Sequence, residues 1–363
     1  VNATAARAVF TTYFSAERHW VMSDHRSREG RGIVPGVTYL EMAQKAVREL
    51  SEKPEGIAEL TNVSFRTPLI ADAGQEKEAQ MIFTRESANG KYRFEVKSRI
   101  TAGENKWEDH AQGEATFIPR ESEEIIQHDL GKLQDRCNKD IIDVASTWKP
   151  DAENSLLIFG PHWHTLKTVR VGDNEGVAYL ELNPEFQEDT VNFALYPSIL
   201  DFGVAFLSDR INPNSPYIPF SYKKLTVRRP MPGKVYCYGR YVGDPGNLDF
   251  IKFDITFMDE EGLELAHVEE FTMMEISEQI LGRLQDREQE AVSPHSNDTK
   301  AEVAPAASGG YGLVKDGIAP HEGVEAFLRI LAEEEPQVVV STRDLDARFA
   351  ISRENLMARL SGE

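Results

Sequence analysis

The sequence predicts an α+β chain of two tandem units, each a helix wrapped by a curled antiparallel sheet. Three observations predict it. An apolar face at helical spacing runs from Val37 to Leu50 through Leu40, Met42, Ala43, Ala46 and Val47. Strand-like segments separated by loops rich in Gly, Asn and Asp follow it. The same outline, one helix among several strands, returns in altered order between residues 151 and 277. At 363 residues the chain exceeds one ordinary core. Identity between the halves is too low to prove a duplication, so a repeated unit and two unrelated α+β halves both stay open.

In the first unit, residues 1–120, a short extended piece leads to the loop DHRSREGRGIVPG at 24–36. Pro35 and Gly36 stand at the start of the helix, where a missing or free N–H is tolerated. Beyond Pro54 the pattern turns to strands: LTNVSFRTPLI, EAQMIFTRE, YRFEVKSRI and WEDHAQGEATFI. Residues 121–150 are polar and read as a connector, helical or irregular. In the second unit, 151–277, LIFGPHWHTLKTVRVG and EGVAYLELN read as strands and YPSILDFGVAFLSDRI as a helix. IPFSYKKLTVRRP, KVYCYGRYVG, FIKFDITFMDE and LELAHVEEFTMMEI follow as strands. Residues 278–310 read as a short charged helix and a Pro/Ala/Ser/Gly-rich linker. Residues 311–363 hold one helix and one strand, too little for a core of their own, and are expected to dock on something else.

Composition excludes several function classes. The net charge of -20 leaves no basic stripe for a nucleic-acid partner. No apolar run approaches the ~20 residues of a membrane-spanning helix, and VNATAARAVFTTYF is not built like a signal peptide. The chain opens on Val rather than Met and is read as a piece of something longer. Two cysteines, Cys137 and Cys237, make neither a disulfide framework nor a zinc spacing. A soluble protein of a reducing, cytoplasmic compartment is expected.

His25 is the first candidate for chemistry, because an imidazole with a pKa near ~6.5 suits proton abstraction at neutral pH. The plainer reading is a loop histidine with a structural hydrogen bond. Gly36 and Val37, at the first helical turn, offer N–H groups to an anion such as a thioester enolate oxygen. Gly30 and Gly32 let the loop pass close to a ligand. Asp201 is the second candidate. Flanked by Ile199, Leu200, Phe202 and Val204, its carboxyl is desolvated and biased to the protonated form that a general acid needs. A helix-start aspartate favoured by the macrodipole explains it equally well. Glu41, placed near the same pocket, reads as structural before an acid/base role, and His110 as structural with a strand hydrogen bond. His162 and His164 are placed on one strand face, and with no further Cys/His cluster a metal site is not expected. The GxG at 30–32 does not follow a strand of a βαβ unit, so it is no dinucleotide fingerprint.

An ordered set of residues now matches a known family. Asp24-His25, Gly30, Pro35-Gly36 and YLEMA at 39–43 come first. FGPHW at 159–163, YPSILD at 196–201 and YIPFSYKKL at 217–225 follow in order. The set, over about residues 10 to 277, resembles the dehydratase domains of modular polyketide synthases, which are double hotdog folds. The resemblance implies that His25, in the HxxxGxxxxP motif, removes the α proton of a β-hydroxyacyl chain. Asp201, in HPxxxD, would protonate the departing hydroxyl, giving an α,β-unsaturated thioester and water. Gly36 and Val37 would hold the enolate charge, and Phe159, Gly160 and Pro161 match a pocket-lining YGP stretch. Gly30, Pro35, Tyr39, Tyr196 and Ala205 complete the expected substrate-binding set. The resemblance implies no directly bound cofactor. The substrate would ride on the phosphopantetheine of an acyl carrier protein, among neighbouring synthase domains, in a homodimer.

Three departures accompany the resemblance. Four residues separate His25 from Gly30 where the family has three. Tyr196 stands in place of the motif histidine, and Ala205 in place of the Gln or His that orients the acid. Residues 311–363 look like the C-terminal edge of a ketoreductase domain. Within the fold, double-bond migration, pyran closure and an inactive scaffold are the alternatives to dehydration, and a hotdog thioesterase is a more distant one.

Overall fold

A computed structural model describes residues 2–3, 6–51, 56–86, 90–101, 106–119, 125–147, 156–213 and 215–276. The chain divides into two units, Val1–Ala291 and Val292–Glu363, and all described residues belong to the first. The expected segments 278–310 and 311–363 lie outside the described residues.

The first half begins with β1 (Asn2–Ala3) and β2 (Arg7–Phe14), then a single turn α1 (Trp20–Ser23), β3 (His25–Ser27) and β4 (Gly32–Val34). The expected helix follows as α2 (Gly36–Glu49), its Val37, Leu40, Ala43 and Val47 almost wholly buried. Then come β5 (Gly56–Phe65), β6 (Leu69–Ala71), β7 (Lys77–Arg85), β8 (Lys91–Ile100) and β9 (Glu108–Pro119). β8 buries alternate residues, Phe94, Val96 and Ser98, the period-2 pattern of a sheet with one face on a core, whereas β7 is buried on both faces from Lys77 to Phe83 except at Gln80. The connector contributes more than a link. It forms α3 (Leu130–Arg136), β10 (Asp140–Asp143) and α4 (Val144–Thr147), and β10 extends the sheet by pairing with a later strand.

The second half holds β11 (Leu157–Phe159), β12 (Leu166–Val171), β13 (Glu175–Glu181), α5 (Pro197–Ala205) and α6 (Ser208–Ile211). β14 (Tyr217–Val227), β15 (Lys234–Tyr241), β16 (Phe250–Met258) and β17 (Glu264–Glu275) complete it. The long apolar run read as one helix is two short ones, because the chain turns after Ala205 and restarts at Ser208, whose hydroxyl donates to the Ala205 carbonyl at 2.8 Å. The HWH segment is also not a strand: Pro161–Trp163 form a 3-10 turn, so His162 and His164 do not share a strand face.

One 13-stranded antiparallel sheet runs β1-β2-β7-β8-β9-β5-β14-β17-β16-β15-β13-β12-β10. Its middle is the β5–β14 pairing, with Tyr222 opposite Val63 and Leu225 opposite Leu60. α2 packs on the strands before that seam, α5 on those after it, and the two helices touch. This is the double hotdog arrangement. A second sheet, β11-β3-β4-β6, carries β11 from the second half onto β3 from the first.

Candidate active site

His25 opens β3, where its register partner across β11 is Phe159. The imidazole is 6% exposed, and its Nδ1 lies 3.0 Å from the Ile33 carbonyl. Only a protonated Nδ1 bonds a carbonyl, so Nε2 carries the lone pair and is the basic nitrogen. Burial pushes the imidazole below its ordinary range, against the opposing pull of the Asp201 carboxyl and the Ile33 carbonyl. The ring is therefore neutral at pH 7, the form a base requires. The extra residue between His25 and Gly30 is absorbed in a turn, where Gly30 N–H donates to Ser27 O at 3.0 Å and Ser27 N–H to Arg31 O at 2.9 Å. Gly30 is exposed, has φ +84°, and a Cβ added there would meet nothing within 4 Å, so turn geometry explains this glycine rather than approach to a ligand. Gly32 is the close-approach position, with Ala16 and Met22 each 3.1 Å from where its Cβ would be.

Pro35 caps α2, and the first-turn N–H groups of Gly36 and Val37 have no acceptor within the helix by geometry. A Cβ on Gly36 would lie 2.8 Å from the Phe65 ring, so only glycine lets that ring cover the helix start. Tyr39, 2% exposed, has His110 as its ring neighbour at 6.3 Å rather than His25. His110 bonds Thr67 O at 2.9 Å and Ser98 Oγ at 2.7 Å, a core histidine with both nitrogens engaged.

Asp201 lies on the second turn of α5, which begins at Pro197. Its Oδ2 accepts from the indole N–H of Trp163 at 3.0 Å, and Trp163 is fully buried. Burial raises the Asp201 carboxyl above the ordinary range, while His25 and the Trp163 hydrogen bond oppose the rise. Trp163 thus takes the part that Ala205 cannot, since Ala205 is the last residue of α5 and has no polar side chain. The sequence held one signal for it: a buried tryptophan requires an acceptor for its N–H. Its ring centroid lies 5.3 Å from that of His25, so one side chain touches both halves of the pair.

Asp24, beside His25, ties the turn to β3. Its Oδ2 accepts from His162 Nδ1 at 2.6 Å and from His162 N–H at 3.1 Å, and its carbonyl accepts from Gly160 N–H at 2.8 Å. Burial pushes the Asp24 carboxyl up, but these bonds from His162 leave it below its usual range. A Cβ at Gly160 would fall 2.2 Å from Asp24 Cγ, which only glycine avoids. His162 is stacked between Phe186 at 3.7 Å and Trp20 at 4.3 Å, and Trp20 lies on Tyr196 at 5.3 Å. Tyr196, N-cap of α5, is therefore fully buried in an aromatic stack. Pro161 is exposed and begins the 3-10 turn.

Glu41, 5% exposed, accepts from Leu195 N–H at 2.8 Å, Ala194 N–H at 3.2 Å and Gln44 Nε2 at 2.8 Å. It joins α2 to the segment leading into α5, and burial pushes its carboxyl up to about 7. The sequence did not reveal this bridge, because its partners are backbone groups 153 and 154 residues away. Among the described residues no group of three His, Cys, Asp or Glu is arranged to hold a metal, and no helix is long and apolar enough to cross a membrane.

Comparison with known proteins agrees with this fold. The "polyketide synthase dehydratase domain" model matches residues 1–99, and the "polyketide synthase dehydratase N-terminal domain" model matches 128–283. Polyketide synthase PksM of Bacillus subtilis is 26% identical over 265 residues, covering 70% of the chain and 6% of that protein. Polyketide synthase PksN of Bacillus subtilis is 24% identical over 344 residues, 92% of the chain and 6% of that protein. The chain thus spans a small fraction of the relatives it matches. Among solved structures, a trans-AT polyketide synthase dehydratase domain from Brevibacillus brevis superposes with a TM-score of 0.66 at 22% identity, covering 76% of this chain and 96% of that one. The dehydratase domain from the CurJ module of curacin polyketide synthase gives 0.67 at 20% identity, over 77% and 96%. The chain belongs to the polyketide synthase dehydratase domain family.

Proposed function

We propose that the domain removes water from a β-hydroxyacyl thioester carried on the phosphopantetheine of an acyl carrier protein. One observation carries the reading. The buried Trp163 donates its indole N–H to the Asp201 carboxyl at 3.0 Å and lies 5.3 Å, centroid to centroid, from the His25 ring, so a candidate base on β3 and a candidate acid on α5 flank one side chain.

His25 Nε2 takes the α proton, and the Cα–H electron pair moves toward the thioester carbonyl. The N–H groups of Gly36 and Val37 receive the oxygen charge that develops. The Cβ–O bond then breaks as Asp201 supplies its proton to the leaving oxygen, which departs as water. The reaction leaves His25 protonated and Asp201 ionised. Each charge stabilises the other, and the indole N–H of Trp163 holds the new carboxylate. Return of the proton from imidazolium to carboxylate, directly or through solvent, restores the starting forms.

The carrier protein, neighbouring synthase domains and a homodimeric state belong to the same proposal; that the matching relatives are polyketide synthases supports the second of these. The test is intact-protein mass spectrometry of a carrier protein bearing a 3-hydroxyacyl group, with this domain, His25→Ala or Asp201→Asn. Loss of one water with the unaltered domain and not with either variant is expected. An unchanged mass with folded, unaltered domain refutes the reading.

A further inference from the structure

Tyr222 has no part in the steps above, yet it stands on the middle strand of the large sheet. It lies on β14 at the seam, opposite Val63 of β5 and Phe271 of β17. The side chain is 1% exposed, its ring edge-on to Phe65 at 5.9 Å and tilted on Phe271 at 4.7 Å. Phe65 is the ring that presses on Gly36, so Tyr222 belongs to the wall beside the start of α2. Its hydroxyl has no hydrogen-bond partner among the described residues. The Asp201 carboxyl lies near enough for its charge to act on the phenol.

A buried hydroxyl without a partner costs free energy that a phenylalanine in the same space would avoid. A donor left open beside the general acid is one that an incoming oxygen can satisfy. Two substrate oxygens are available. The thioester oxygen is addressed by Gly36 and Val37, whereas the β-oxygen is the one that Asp201 protonates. Gly36 and Val37 already offer two donors to the thioester oxygen, whereas Asp201 alone leaves the β-oxygen an unused lone pair, so the unpartnered phenol is matched to the β-oxygen.

Resting on the dehydratase reading, we propose that Tyr222 donates a hydrogen bond to the substrate's β-oxygen and thereby selects 3-hydroxyacyl chains over chains lacking that hydroxyl. The Cβ–O bond breaks with a proton from Asp201, and Tyr222 keeps its own. Burial, with the Asp201 charge adding to it, pushes the phenol well above its ordinary range, so it remains a protonated donor throughout.

Two measurements test this. Binding of 3-hydroxybutyryl-pantetheine and butyryl-pantetheine is measured by calorimetry in a His25→Ala background, which prevents turnover, with and without Tyr222→Phe. Turnover and melting temperature are measured for the unaltered domain and Tyr222→Phe alone. The hydroxyacyl probe is expected to bind about tenfold tighter than the deoxy probe, a preference that Tyr222→Phe erases. Turnover falls by about tenfold while the melting temperature stays equal or rises, because no protein contact is lost. Equal binding of the two probes before the Tyr222 change, or a preference that survives it, overturns the proposal. So does a parallel fall in melting temperature and turnover, which marks a structural hydroxyl. If the unaltered domain turns over nothing but the binding preference disappears with Tyr222→Phe, the Tyr222 contact stands and the dehydratase reading falls.

Discussion

Replacing Trp163 with phenylalanine removes a single donor from Asp201, the proposed general acid, while keeping an aromatic ring in its place. The indole N–H of the fully buried Trp163 lies 3.0 Å from Asp201 Oδ2, where little solvent competes. A hydrogen bond to a charged group contributes about 1.5–3 kcal/mol. It acts fully on the carboxylate left after proton donation and in part on the transition state. With about half the charge developed there, kcat falls roughly 3- to 10-fold. The pH profile gives the sharper readout. The Trp163 bond favours ionised Asp201 and opposes the rise caused by burial. Its loss raises the carboxyl further, so the basic limb, where activity disappears as Asp201 ionises, moves to higher pH. The smaller ring also loses contact with His25 and Trp20, for about 1–2 kcal/mol of stability. Turnover of a carrier-bound 3-hydroxyacyl substrate is followed by chromatography across pH, with the folded fraction fixed by circular dichroism. A basic limb that stays put or moves to lower pH refutes Trp163 as the partner of the acid.

Further outcomes follow from the same geometry. The acid limb of kcat/KM, set by protonation of His25, is expected below the ordinary imidazole pKa of ~6.5, since burial pushes this ring down; an acid limb above that value contradicts the buried neutral base. Gly160→Ala puts a methyl 2.2 Å from Asp24 Cγ, which costs about 1–3 kcal/mol in urea unfolding and lowers turnover with it; unchanged stability contradicts the packing of the turn on β3. Glu41, with its folded pKa raised to about 7, contributes stability that is present below the unfolded value of ~4.3 and lost as pH rises through about 7, on the order of 3 kcal/mol. Glu41→Gln is therefore expected to flatten that decline in chemical unfolding between those limits, and an unaltered slope removes the assignment.

Much of the fold was legible because its signals are local. The apolar spacing from Val37 to Leu50 and the Pro35-Gly36 start sufficed for α2, found at Gly36–Glu49. Alternation sufficed for β8, where one face packs on a core and the other is more exposed. The run after Pro197 misled because its continuous apolarity hides the break after Ala205. HWH misled because a 3-10 turn fits a proline-led triplet that strand periodicity cannot distinguish.

Residue type and neighbours made His25 and Asp201 candidates beside plainer readings, and the ordered family motifs gave them their expected roles. What held them was decided by tertiary structure. The Asp24–His162 bond spans 138 residues, the Trp163–Asp201 bond 38, and the Glu41–Leu195 bond 154. The absence of an orienting residue at Ala205 was visible in the chain, but not that an indole from another element replaces it. By itself the sequence pointed to the double hotdog outline, to α2, and to His25 and Asp201 as candidates for proton transfer. Only the pairing of β11 with β3 and the contact of α2 with α5 decided which of them meet. Local propensity reports how each backbone segment folds, whereas a side chain's partner depends on register and packing between segments far apart in the chain.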